Sequence, residues 1–88
     1  MMKYTFVDNS DIEGLEKVFG VSVVYLELDE KNRVLREVGV DASGEIVHVF
    51  PAKKGEYGRY GIFDSQTVSA SSEVDPLFFR ELWDKALR

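Results

Sequence analysis

The run from Val21 to Phe50, VSVVYLEL-DEKN-RVLREVGV-DASG-EIVHVF, decides the fold. Val21 to Leu28 is rich in β-branched and aromatic residues. Towards its end it alternates, with Val24, Leu26 and Leu28 on one side and Tyr25 and Glu27 on the other, which predicts a strand. Asp29-Glu30-Lys31-Asn32 is a polar turn, and Val34 to Val40 predicts a second strand. Asp41-Ala42-Ser43-Gly44 reads as a type I turn with Gly44 at positive φ, and Ile46 to Phe50 is a third strand, stopped by Pro51. Turns this short make the strands antiparallel neighbours, because a parallel crossover needs roughly a dozen residues. Arg36 shares parity with Val34, Val38 and Val40, so either it is paired at a sheet edge or a bulge shifts the register.

Working outward, Lys3 to Val7 alternates and predicts a short strand. Ser10 and Glu13 have capping-box spacing, and Ile12, Leu15, Glu16 and Phe19 share one helical face before Gly20. That predicts one or two turns of helix. On the other side, Tyr60 to Phe63 reads as a fourth strand with Gln66 to Ser69 as an extension, and Lys53 to Arg59 reads as a glycine-bearing loop. Asp75 as N-cap and Pro76 at the first helical position open a C-terminal helix whose Phe79, Leu82, Trp83 and Ala86 form one apolar face. The expected architecture is α+β: a four-stranded antiparallel meander with a short N-terminal helix and a C-terminal helix packed on one face, residues 1–88 forming one domain.

The chain carries a net charge of −5, and the excess is unevenly placed. Residues 1–50 hold Asp8, Asp11, Glu13, Glu16, Glu27, Asp29, Glu30, Glu37, Asp41 and Glu45 against Lys3, Lys17, Lys31, Arg33 and Arg36, whereas acids and bases balance in 51–88. Such a surface repels nucleic-acid phosphates and anionic lipid and attracts a basic partner. There is no cysteine, so disulfides and thiolate metal sites are excluded. The N-terminal segment lacks a signal-peptide apolar run, and no stretch approaches the ~20 apolar residues of a membrane span. A cytoplasmic location is the expectation.

Catalytic chemistry is poorly provided for. His48 is the single histidine, and a hydrolase triad would have to draw its nucleophile from Ser65 or Ser69, neither in a nucleophile-elbow pattern. In the simplest register after the 41–44 turn His48 lies opposite Glu37 as a cross-strand pair. The acids Asp8, Asp11, Glu13 and Glu16 lack calcium-loop spacing and read as the acidic first turn of a helix. Glycines 55, 58 and 61 do not precede a helix as a phosphate loop requires. No enzyme activity, cofactor or metal is expected.

Tyr25-Leu26-Glu27-Leu28-Asp29, then Arg36-Glu37-Val38 leading to Asp41 and Gly44, and Phe79-Arg80-Glu81-Leu82-Trp83 with Ala86, together resemble a group of small bacterial proteins encoded near polymorphic toxin systems. The resemblance covers about half the chain and carries no catalytic residues. It implies an immunity protein that neutralises a toxin domain. With the charge layout, the expected partner is a basic protein, a nuclease-type toxin domain, without direct nucleic-acid or membrane contact. The expected partner-binding residues are Glu27, Asp29 and Glu37 on the hairpin, Asp41 and Glu45 at its far turn, and Tyr25 as an aromatic anchor. The competing reading is a structural or regulatory module that forms a homodimer through its sheet.

Overall fold

The computed structural model describes residues 2–51, 62–63, 67–69 and 72–88. Strands β1 (Lys3–Asp8), β2 (Val23–Leu28), β3 (Val34–Val40) and β4 (Ile46–Phe50) pair antiparallel in sequence order. Helix α1 (Leu15–Phe19) lies between β1 and β2, and α2 (Pro76–Ala86) follows the strands. The α+β meander is as expected, with one change of membership. Its outer strand beside β2 is Lys3–Asp8, and the described part of the expected 60–63 strand, Ile62 and Phe63, does not join the sheet. Tyr60, Gly61 and Gln66 lie outside the described residues, as does the Lys53–Arg59 loop. Ile62 and Phe63 are not in the sheet: their N–H groups, which a strand would donate to a ladder, donate instead to the Glu37 carboxylate at 2.7 and 3.0 Å. Thr67 makes an isolated bridge to Arg33.

Two irregularities set which side chains face where. Glu27 pairs with Arg36 but Leu28 pairs with Val34, so Leu35 is an extra residue and β3 changes parity there. This answers the Arg36 question. A bulge puts Val34 with the aliphatic side chains and Arg36 on the opposite face, across from Glu27. In β4, Val40 pairs with Ile46 and Gly39 with His48, so Val47 is extra and the register differs from the simplest one. His48 lies opposite Gly39, yet still reaches Glu37 diagonally on the same face at 2.7 Å.

Both hairpins use one five-residue device. In Asp29–Arg33 and in Asp41–Glu45, the first residue's Oδ1 accepts from the backbone N–H of the third and fifth. The fourth residue, Asn32 (φ 64) or Gly44 (φ 88), takes the left-handed conformation.

The aliphatic face carries the main core: Val7, Val24, Leu26, Leu28 and Val34 pack with Leu15, Val21 and Phe63, flanked by Ile12, Val47, Ile62 and Val68. Gly39 lies within this face because space is short; a Cβ there would stand 2.8 Å from Val21 Cγ1 and 3.0 Å from His48 Cβ. Helix α2 crosses the other face. It starts beside β1, where Val74 N–H donates to the Tyr4 carbonyl, and ends near the β3–β4 turn, where Lys85 and Ala86 share a cleft with Gly44, Glu45 and Ile46. As expected, Asp75 caps it, accepting from Leu77 N–H at 2.9 Å, and Pro76 opens it. The aromatic helix face therefore packs on the side of the sheet that carries Tyr4, Glu27 and Arg36 together with the buried Val38 and Val49, not on the side of the main core. The β2 strand is covered on both sides here: Glu27 is buried on one face, and Leu26 and Leu28 are fully buried on the other.

Helix α1 is one residue longer than a turn and begins later than the Ser10–Glu13 spacing predicts. Ser10 instead donates through N–H and hydroxyl to Asp8 Oδ1, and Gly14, at φ 82, is the N-cap. The Asn9 side chain satisfies the first turn, accepting from Glu16 N–H at 2.8 Å. Gly20 ends the helix at φ 73, as its position suggested. With so short a helix only Leu15 is buried; Phe19, expected on the packed face, is half exposed.

Candidate functional site

The six expected partner-binding residues do not form one surface. Glu37 is fully buried on the aliphatic face, its carboxylate accepting from Ile62 N–H, Phe63 N–H and the His48 ring. Glu27 is 7% exposed on the opposite face. It accepts two hydrogen bonds from Arg36 (Nε 2.7 Å, Nη2 2.6 Å) and one from the Tyr4 hydroxyl at 2.9 Å. Burial pushes its carboxyl up, but the Arg36 and Tyr4 hydrogen bonds and the Arg36 charge outweigh burial and hold it below the ordinary carboxylate range. The same contacts raise Tyr4, through burial first and then Glu27, and raise Arg36 through its bonds to Glu27. Phe79 and Trp83 roof the pair, with the Arg36 guanidinium carbon 5.2 Å from one ring centroid and 4.6 Å from the other. Both glutamates are thus withdrawn from contact with a partner protein.

Asp29 is half-buried and tied to its own turn, its Oδ2 also taking Arg33 Nε at 2.8 Å. Backbone hydrogen bonding from Arg33 comes first among the causes that hold its carboxyl low. Tyr25 is partly exposed on the helix-bearing face, in a row with Phe6 (6.3 Å between centroids) and Phe78 (5.1 Å).

Asp41 and Glu45 have company that the sequence reading did not give them. The register places the end of β1 (Asp8), the start of β2 (Val23), the end of β3 (Val40) and the start of β4 (Ile46) side by side at one end of the sheet. At about 4.8 Å between neighbouring strands, that row is roughly 15 Å wide. Asp8, Asp11, Glu13 and Glu16 reach this end from the β1–α1 side, and Asp41 and Glu45 from the β3–β4 turn. Lys17 is the base on those segments, with Lys85 beside Glu45. Asp8 and Asp41 are held below the usual range, in each case first by a serine hydroxyl two residues on, Ser10 or Ser43. Both therefore stay ionised well into mild acid.

At this acidic pole stand two apolar side chains with little cover, Val18 (71% exposed) and Phe19 (49%) on α1. They follow Glu16 on α1 and precede Ser22, whose N–H donates to the Val40 carbonyl at this end of the sheet. The pole was only half legible. Glu13 reads as part of a helix terminus and Phe19 as part of a shared helical face, because the spacing allows one or two turns and does not place the start as late as Leu15.

Among the described residues, no group of three or more histidine, aspartate or glutamate side chains could hold a metal ion, and no helix is long and apolar enough to cross a membrane. Ser65 lies outside the described residues. Comparison with protein-family models, with curated proteins and with solved structures finds no match.

Proposed function

We propose that this chain is a small inhibitor-type binding protein that docks a basic protein through its acidic pole, acting as an immunity protein for a nuclease-type toxin domain. The observation that carries the reading is the conjunction of Phe19 and Val18, exposed on α1, with Asp11, Glu13, Glu16, Asp41 and Glu45 around the same end of the sheet. Nucleases keep a positive cleft for phosphate. An acidic surface steers into such a cleft and fills it, and the apolar centre adds hold after contact. The partner's identity as a toxin rests on the sequence resemblance and the charge, and no catalytic role is assigned to this chain.

The test is calorimetric titration of the intact protein with a catalytically inert form of the toxin-like domain encoded beside its gene, at low salt and at about 0.3 M salt. Binding that weakens at least about tenfold with salt, and that Phe19→Ala and Glu13→Lys each weaken, supports the reading. Absence of binding, or binding indifferent to salt and to both substitutions, overturns it.

A second reading is supported by a separate observation. Phe78 (38% exposed) continues the Phe6–Tyr25 row, with the exposed Leu77 (57%) preceding it on the helix, a surface suited to a second copy of the chain. Light scattering at micromolar concentration distinguishes the two: a partner-free dimer abolished by Phe78→Ser favours self-association.

A further inference from the structure

We propose that the groove between α2 and the sheet binds a small aromatic carboxylate, an activity separate from the protein contact above. The groove has a volume of about 510 Å3 and is lined by Tyr4, Arg36, Leu77, Arg80, Trp83 and Asp84, together with Pro76 and Phe79. Small-molecule sites typically occupy roughly 300–1,000 Å3 and combine apolar walls with a few fixed polar groups.

Two guanidinium groups line this one groove. Arg36 is held in place: Glu27 takes Nε and Nη2, and Phe79 and Trp83 lie against its guanidinium. Its Nη1 is the nitrogen left outside that fork, and its side chain keeps 31% exposure. Arg80 is exposed and has no ion pair among the described residues, although Asp84 stands one turn further along the helix. Glu27 offsets Arg36, but it is buried beneath the pair and does nothing for Arg80.

A carboxylate accepting from Arg80 and from Arg36 Nη1 supplies the missing counter-charge at short range, where charge-assisted hydrogen bonds are strongest. The indole of Trp83 offers a flat apolar wall, which selects an aromatic body for the ligand. Asp84 is the repulsive element of the groove and limits affinity.

Trp83 is the single tryptophan of the chain, so its emission reports on this groove alone. The intact protein is titrated with 3-phenylpropionate and, in parallel, with its neutral isostere 3-phenylpropionamide. The expected result is a saturable change in emission with the acid, and binding of the amide weaker by about tenfold or more. Arg80→Gln, an exposed substitution that leaves the melting temperature unchanged, is expected to weaken the acid by about tenfold, and Asp84→Asn to tighten it. Equal binding of acid and amide overturns the proposal. So does the absence of a saturable change up to about 10 mM ligand, or unaltered affinity in Arg80→Gln.

Discussion

Glu27 and Glu37 lie on neighbouring strands and serve the protein in the same way, one on each face of the sheet. Each is a carboxylate taken out of water and fully occupied: Glu27 by Arg36 and Tyr4, Glu37 by His48 and two backbone N–H groups. Removing one member of such a set leaves a charge unpaired in the interior, which costs about 3–5 kcal/mol. Arg36→Met should therefore destabilise the protein by about 3 kcal/mol at neutral pH, the lower end because Arg36 is partly exposed. The pH dependence has a definite sign. The folded-state pKa of Glu27 is depressed in the native protein, so its contribution is present above the unfolded carboxylate range and is lost as pH falls through the folded value. In the variant the burial contribution is unopposed by Arg36, and protonation relieves the strain. The gap between the two proteins, measured by urea unfolding, should narrow steadily from neutral pH to about pH 4. Thr5 is the converse case. It is 1% exposed, and no described group hydrogen-bonds to its hydroxyl. Thr5→Val keeps the shape and removes the unsatisfied group, so it should raise stability by about 1 kcal/mol in the same assay.

At the scale of elements, the two hairpins show what a turn sequence can specify. Asp-x-x-Asn-x and Asp-x-x-Gly-x close in the same way, and Asp41→Asn, which keeps the acceptor oxygen, should melt nearer the native protein than Asp41→Ala does. Gly39→Ala should cost about 1–3 kcal/mol, because the methyl meets Val21 and His48 from both sides, and a thermal melt would show it. The four strands, both turns, the Asp75 cap and the Gly20 stop were legible, since each depends on residues adjacent in sequence. The bulges at Leu35 and Val47 were not fully so. Parity flagged a conflict at Arg36, but nothing local says which residue is extra. The role of Ile62 and Phe63 was also hidden. Their sequence suits a strand, and only the distant Glu37 carboxylate diverts their N–H groups. For the candidate site, Asp41 and Glu45 were found from charge alone. Their neighbours required the register of all four strands, and the withdrawal of Glu27 and Glu37 required knowing that both faces are covered.

On the scale of the whole molecule, the charge of the described residues gathers acids at one end of the sheet. Like charges within a Debye length of one another at the acidic pole repel, and nearby bases are few. Raising salt from about 0.02 M to 0.3 M should therefore raise the melting temperature. Glu13→Lys should raise it at low salt, by a few tenths of a kcal/mol in stability, with the benefit vanishing at high salt. Those two shifts together would mark a surface whose charge costs the fold stability, the pattern expected where charge serves an encounter with another molecule.

The strand order equals the order of synthesis, and this has a consequence for how the chain matures as it is made. All four strands precede α2, so the meander has the means to pair before the helix exists. Until then the Glu27–Arg36 pair lies open to water, where it forms without penalty. Phe79 and Trp83 then cover the pair, burying Glu27 and leaving Arg36 partly exposed. Helix α2 thus acts as a latch on the meander, because Phe79 and Trp83 cover a pair whose two partners lie on strands that precede them in the chain.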